Sequence, residues 1–305
     1  MRMKRSLSGI AVLLIATAVV LHSFLMVRDV DAAPDGCFLW SAKKAGLELY
    51  LLGSLHLLGP GVTLPAAMTH AYEQCRAVLF ETDLDVIDDP ETQERFIRMG
   101  VYPEGQTLAG HVSPQTYRLV QGEAEEAGLS LVQIDRYRPW LCALVLVQAA
   151  LKRLGFDPQH GIDRLFFARA VEDGKDIRFL ESVNEQLRLM ADMPPGQEEA
   201  FLKQTLRDLQ TIGDMATDMV RAWRTGDVSR FQSLIVETFR GYPEIYERFF
   251  ASRNEQWVRE LESFTDRSQK VLVVVGAGHL VGKESVVELL RKKGFAIHRA
   301  MKSTE

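Results

Sequence analysis

Apolar residues in this chain fall in short unbroken runs, and longer stretches of helical periodicity separate them. The runs are "FLWSA" (38–42), "LELYLLG" (47–53), "AVLFE" (77–81), "LVQID" (131–135), "IRFLE" (177–181), "VLVVVG" (271–276) and "FAIHRA" (295–300). Few of them alternate with polar residues, so they predict strands covered on both faces. Between them, Pro65 opens "PAAMTHAYEQC", and Ser113–Pro114 opens a helix that stops at Gly128. Both starts use proline where a helix tolerates it. "PWLCALVLVQAALKRLG", from Pro139, is apolar on every side and predicts a buried helix. "GIDRLFFARAVEDG" closes on Gly174, and "GKESVVELLRKKG" is the last helix. Strands alternating with helices predict an α/β fold with a central, largely parallel sheet flanked by helices. From about 184 to 264 the pattern is helical, with breaks near Gly226–Asp227 and Gly241–Pro243. This stretch is expected as a helical insertion capping the strand ends.

The first residues stand apart. Arg2, Lys4 and Arg5 precede an apolar run from about Gly9 to Val27, and "VDAAP" follows. A basic head, an apolar middle and small residues make a secretory signal, with the cut expected after Ala32. The alternative is an uncleaved membrane anchor, since the run is nearly long enough to span a bilayer. Both place residues 33–305, read as one domain, outside the cytoplasm: periplasmic or secreted, or anchored to the membrane. In such a compartment Cys37 and Cys75 could pair; the alternative is that they and Cys142 are small buried side chains. The 305 residues carry a net charge of −5. This gives no electrostatic reason to expect nucleic acid as a partner.

Candidate chemistry comes from a repeated strand ending. "YLLGSLHLLG" ends a strand on Gly53 and reaches His56; "VVVGAGHLVG" ends one on Gly276 and reaches His279. In parallel sheets, ligands bind beyond the carboxyl ends of the strands. Glu81, Glu181 and Asp135 end other runs, although Asp135 reads better as an ion-pair residue beside Arg136 and Arg138. Glu81 can also serve as a helix N-terminal charge, and Glu181 can sit beside a cap formed by Ser182 and Glu185. His22, His70, His111, His160 and His298 lack the repeated context and read as ordinary residues. Two imidazoles with carboxylates match a His/His/Glu metal site. They match equally a metal-free general base and acid.

These blocks, with "AVLFETDLD", "GIDRLFFARAVEDGKDIRFLESVNEQL" and "ERFFASRNEQWVREL", resemble the TraB/PrgY/GumN family from about Phe38 onward. The chain is most like its exported bacterial GumN-type members. The resemblance implies an α/β fold with His56, Glu81 and His279 at its centre. It also implies kinship with Tiki-type proteases, regarded as manganese- or cobalt-dependent, and with erythromycin esterases, which work without a required metal. Three functions are therefore expected to compete. The first is a metal-dependent, peptidase-like hydrolase with a manganese, cobalt or zinc ion on His56, Glu81 and His279, and Glu181 or Asp163 as base. The second is a metal-free hydrolase with His56 as base and Glu81 orienting it. The third is a protein that binds a peptide or small molecule without chemistry. Arg253 and Asn254 are expected to bind substrate, with a salt bridge to the domain below as Arg253's other role.

Overall fold

In a computed structural model, the described residues are 36–301 apart from 57, 59–62, 157–159, 240 and 265–269. The signal or anchor segment therefore lies outside them. Among the described residues no helix is long and apolar enough to cross a membrane.

Six strands form one sheet: β1 (Gly36–Lys44), β2 (Leu47–Ser54), β3 (Ala77–Phe80), β4 (Asp176–Phe179), β5 (Lys270–Gly276) and β6 (Ala296–Met301). Their order is β4-β3-β5-β2-β1-β6. β4, β3, β5 and β2 run parallel, whereas β1 is antiparallel to both β2 and β6. The β1–β2 hairpin turns at Ala45 and Gly46, both with positive φ (47° and 89°). Such a turn matches the twist of the flanking strands. The all-apolar runs β3 and β5 lie in the middle and are buried on both faces, as runs without alternation require.

The run at 131–135 is not a strand. Leu131–Ile134 is a single helical turn, and Val132 is 80% exposed. A short apolar run does not by itself distinguish strand from helix. Asp135 consequently caps that turn and accepts from the Ala109 N–H. Cys37, Cys75 and Cys142 are all free and buried, so the Cys37–Cys75 disulfide does not form.

After β4 the chain is helical: Val183–Ala191, Pro195–Asp208, Ile212–Thr225, Val228–Thr238, Pro243–Tyr246 and Ser252–Ser263. Gly226 stops the third of these in a left-handed cap (φ 67°). These helices meet the sheet at its carboxyl edge. Trp223 donates its indole N–H to the Gly53 carbonyl at 2.7 Å, and Phe231 packs on Phe38 with centroids 4.9 Å apart. A π turn at Glu247–Ala251 leads into Ser252–Ser263.

Candidate active site

Parallel register sets the site. β2 and β5 are paired so that Ser54 faces Gly276, and β3 lies on the other side of β5 with Phe80 facing Val274. His56, Glu81 and His279 thus leave three adjacent strands at one edge. β4 adds Glu181, whose N–H bonds the Glu81 carbonyl at 2.9 Å. The Nε2 atoms of His56 and His279 each lie 3.9 Å from the same oxygen, Glu81 Oε1.

Glycine makes this approach possible. A Cβ on Gly276 would stand 2.9 Å from His56 Nε2 and 3.3 Å from Glu81 Oε1. Its N–H donates to that same Oε1 at 2.7 Å. Gly53 plays a different part: a Cβ there would press on the Ala277 backbone at 3.1 Å, so it lets β2 pack beside the second motif.

The two imidazoles sit in opposite environments. Asn254 Nδ2 donates to the Glu284 carbonyl, which turns its Oδ1 toward His279. His279 Nδ1–H therefore donates to Asn254, at 2.6 Å, and its Nε2 accepts from Arg253 Nη1 at 3.0 Å. Burial, then the neighbouring charge of Arg253, hold this imidazole well below its ordinary pKa, so it is neutral. His56 instead pairs Nδ1 with Asp163 Oδ2 at 2.8 Å. Burial alone would lower its pKa. The charge and hydrogen bond of Asp163, joined by Glu81's charge, outweigh burial and carry it up to about 9. Burial pushes Asp163 up, but His56 and Arg164 hold it below the usual carboxylate range.

Asp163 is the second residue of the Ile162–Glu172 helix. That helix docks through the Ile162 N–H on the Leu55 carbonyl, 3.0 Å away and one residue before His56. A side chain on Gly161 would meet Asp163 Oδ1 at 2.5 Å and the His56 carbonyl oxygen at 2.6 Å. The "GID" triplet thus carries the partner of His56, which the sequence offered only as a base.

Arg253 occupies the centre. Nε and Nη2 donate to Glu181 at 3.1 and 2.6 Å; Nη2 also reaches Glu81 Oε2 at 2.7 Å. Nη1 serves the Phe249 carbonyl and His279 Nε2, both at 3.0 Å. All five guanidinium N–H groups are engaged inside the protein. Both ends of the Asn254 amide are engaged too. Arg253 thus makes the salt bridges to Glu81 and Glu181, its other expected role, and Asn254 orients His279. Glu181 also accepts from Gln186 Nε2 (2.6 Å) and Trp257 Nε1 (3.2 Å), which completes four bonds on two oxygens.

A metal on His56, Glu81 and His279 does not fit this arrangement. The His279 lone pair faces Arg253, and both Glu81 oxygens already accept N–H groups. A dication there would adjoin a guanidinium whose charge two carboxylates reinforce. Among the described residues no three His, Cys, Asp or Glu side chains are arranged to hold an ion.

His56, Glu81, Thr82, Asp163 and Gln186 line a cavity of about 20 Å³. Thr82 and Glu181 also line an open groove outside it, with Asp83, Arg95, Phe179 and Asn184.

Fold and site together define an α/β protein with a buried histidine–carboxylate–arginine cluster at the carboxyl ends of parallel strands. The sequence profile of the TraB/PrgY/gumN family matches residues 38–299, and the chain belongs to that family. It is 24% identical to the uncharacterized protein YbaP of Escherichia coli (strain K12), over 80% of this chain and 88% of that one. It is 23% identical to the metalloprotease TIKI2 of Danio rerio and 24% identical to a metalloprotease TIKI homolog of Amphimedon queenslandica. Each of these two alignments covers 88% of this chain and 62% of the relative. No solved structure gives a significant match.

Proposed function

We propose that this protein is a peptidase-like hydrolase that uses His56 as its proton carrier and Asp163 as that histidine's partner. The observation that carries the reading is the 2.8 Å His56–Asp163 pair, with His56 Nε2 facing Glu81 beside the cavity. A carboxylate on Nδ1 fixes the tautomer and leaves Nε2 to exchange protons. In its neutral form, His56 Nε2 takes one proton from a water whose oxygen attacks the substrate carbonyl. The imidazolium so formed is stabilised by Asp163 and Glu81. It returns the proton to the leaving amine, and one water is consumed to give a carboxylic acid and an amine. Arg253 and Glu181 hold Glu81 in place, and the neutral His279 anchors Arg253. The TIKI relatives, by name metalloproteases, support the hydrolase class and peptide bonds as substrate. The arrangement around Arg253 supports a reaction that does not route through an ion on His279. The basic head and apolar run at the N-terminus support a protein that works outside the cytoplasm on a peptide or small-molecule substrate.

The test is turnover of a quenched-fluorescent peptide library by the purified mature chain, by His56→Ala and by Asp163→Asn. Cleavage by the wild type, lost in His56→Ala and unaffected by chelator, is the expected result. Turnover that requires added manganese, cobalt or zinc would overturn the metal-free reading. Peptide binding without cleavage would make the protein a binder.

A further inference from the structure

The amide of Gln186 has a fixed orientation. Its Nε2 donates to Glu181 Oε1 at 2.6 Å, and a carboxylate can only accept. The amide oxygen must therefore turn the other way. Gln186 is 3% exposed, yet Oε1 has no protein partner among the described residues. The same holds for the Thr82 hydroxyl on a residue 2% exposed. Both residues line the small cavity with His56, Glu81 and Asp163. Buried polar atoms without a protein partner are, as a rule, satisfied by ordered water. A water needs about 10–15 Å³ of such space, and the cavity measures about 20 Å³. It has room for an ordered water.

The geometry points to a single structural water in this cavity, held by Thr82 Oγ1 and Gln186 Oε1 and presented to His56. Gln186 Oε1 takes one water hydrogen. Thr82 Oγ1–H donates to the water oxygen and sets the tilt. The second hydrogen is left for neutral His56 Nε2, and a lone pair is left for attack. Gln186 and Thr82 are thus positioning residues. Glu181 acts at one remove, because it decides which end of the Gln186 amide faces inward. Thr82 also walls the open groove, so a carbonyl presented there would meet the water across a single side chain. The role in attack rests on the hydrolase reading; the water itself does not.

Three measurements on the mature chain separate the two. A high-resolution crystal structure is expected to show one peak at hydrogen-bonding distance, about 2.7–3.2 Å, from Thr82 Oγ1 and Gln186 Oε1. Thr82→Val keeps the shape and removes the hydroxyl. With the water present it lowers Tm by roughly 2–4 °C, as expected for one lost hydrogen bond in a domain of this size. Thr82→Ser keeps the peak and the Tm closer to wild type. With a cleavable peptide in hand, Thr82→Val and Gln186→Met lower kcat at least about tenfold with KM unchanged, the signature of a group that acts in the transition state. A dry cavity, with a Tm that rises in Thr82→Val because an unpaired hydroxyl has been removed, overturns the proposal. So does a peak with contacts near 2.0–2.2 Å, which marks a metal ion. If no peptide is cleaved, the hydrolase reading fails while the peak and the Tm shift still decide the water.

Discussion

Replacing Asp163 with asparagine removes the negative charge that holds His56 protonated. The side chain keeps its size and can still accept from Nδ1–H, but the negative charge is gone. In the wild type, burial opposes protonation of His56, and Asp163's charge and hydrogen bond more than reverse it. The pKa stands at about 9 against an ordinary 6.5. At about 1.4 kcal/mol per unit, that gap corresponds to about 3 kcal/mol of preference for the imidazolium. Without the charge, burial and the Arg253 charge should prevail and bring His56 to 6.5 or below. The folded-state pKa of His56 is raised, so its contribution to stability is fully present below 6.5 and is lost as pH rises toward 9. Asp163 is lowered, so its share is present above its ordinary value and lost in acid. The wild type should therefore show an alkaline decline of the urea midpoint between pH 6.5 and 9, and the mutant should lack it. The direct assay is NMR titration of the His56 ring, which needs no substrate. A wild-type His56 that titrates near 6.5, or an Asp163→Asn protein whose His56 still titrates near 9, would refute this account of the pair.

Three further outcomes follow from the same contacts. Gly276→Ala places a methyl 2.9 Å from His56 Nε2, so kcat should fall about 100-fold, as small misplacements of reacting groups do, while the Tm changes little. Arg253→Met leaves Glu81 and Glu181 buried without their cation, and urea denaturation should show a loss of about 3–5 kcal/mol. Mass spectrometry of the exported protein should find Ala33 at its N-terminus; an intact Met1 on a cytoplasmic species would refute export.

β3 and β5 were legible because they are buried on both faces, and unbroken apolar runs record that directly; the edge strand β4 is largely exposed and showed only as a short run. The same signal misled at 131–135, where five residues are too few to separate a strand from one helical turn. His56 and His279 were visible because one local pattern, strand–glycine–x–x–histidine, occurs twice. Their charges were not visible. These depend on burial, on Asp163, 107 residues from His56, and on Arg253, 26 residues from His279. No local pattern distinguishes an arginine that binds a substrate carboxylate from one whose five donors are already taken. Gln186 and Thr82 read as ordinary polar residues until the fold closes a cavity between them.

The π turn at Glu247–Ala251 has a consequence for inheritance. A π turn adds one residue to a helix that would otherwise continue in α register. Here it directly precedes Arg253, whose Nη1 bonds the Phe249 carbonyl inside that turn. Each helical residue advances by about 100°. Removing that added residue would restore α register, whereas one more codon inserted before Arg253 would swing Arg253 and Asn254 out of the cluster and bring their neighbours in. Phe249 and Phe250 of the turn are themselves buried, and Phe250 packs on His279 with centroids 4.8 Å apart. Insertions in this helix should accordingly be far rarer among descendants of this chain than in the helices that end at Gly226 or Thr238.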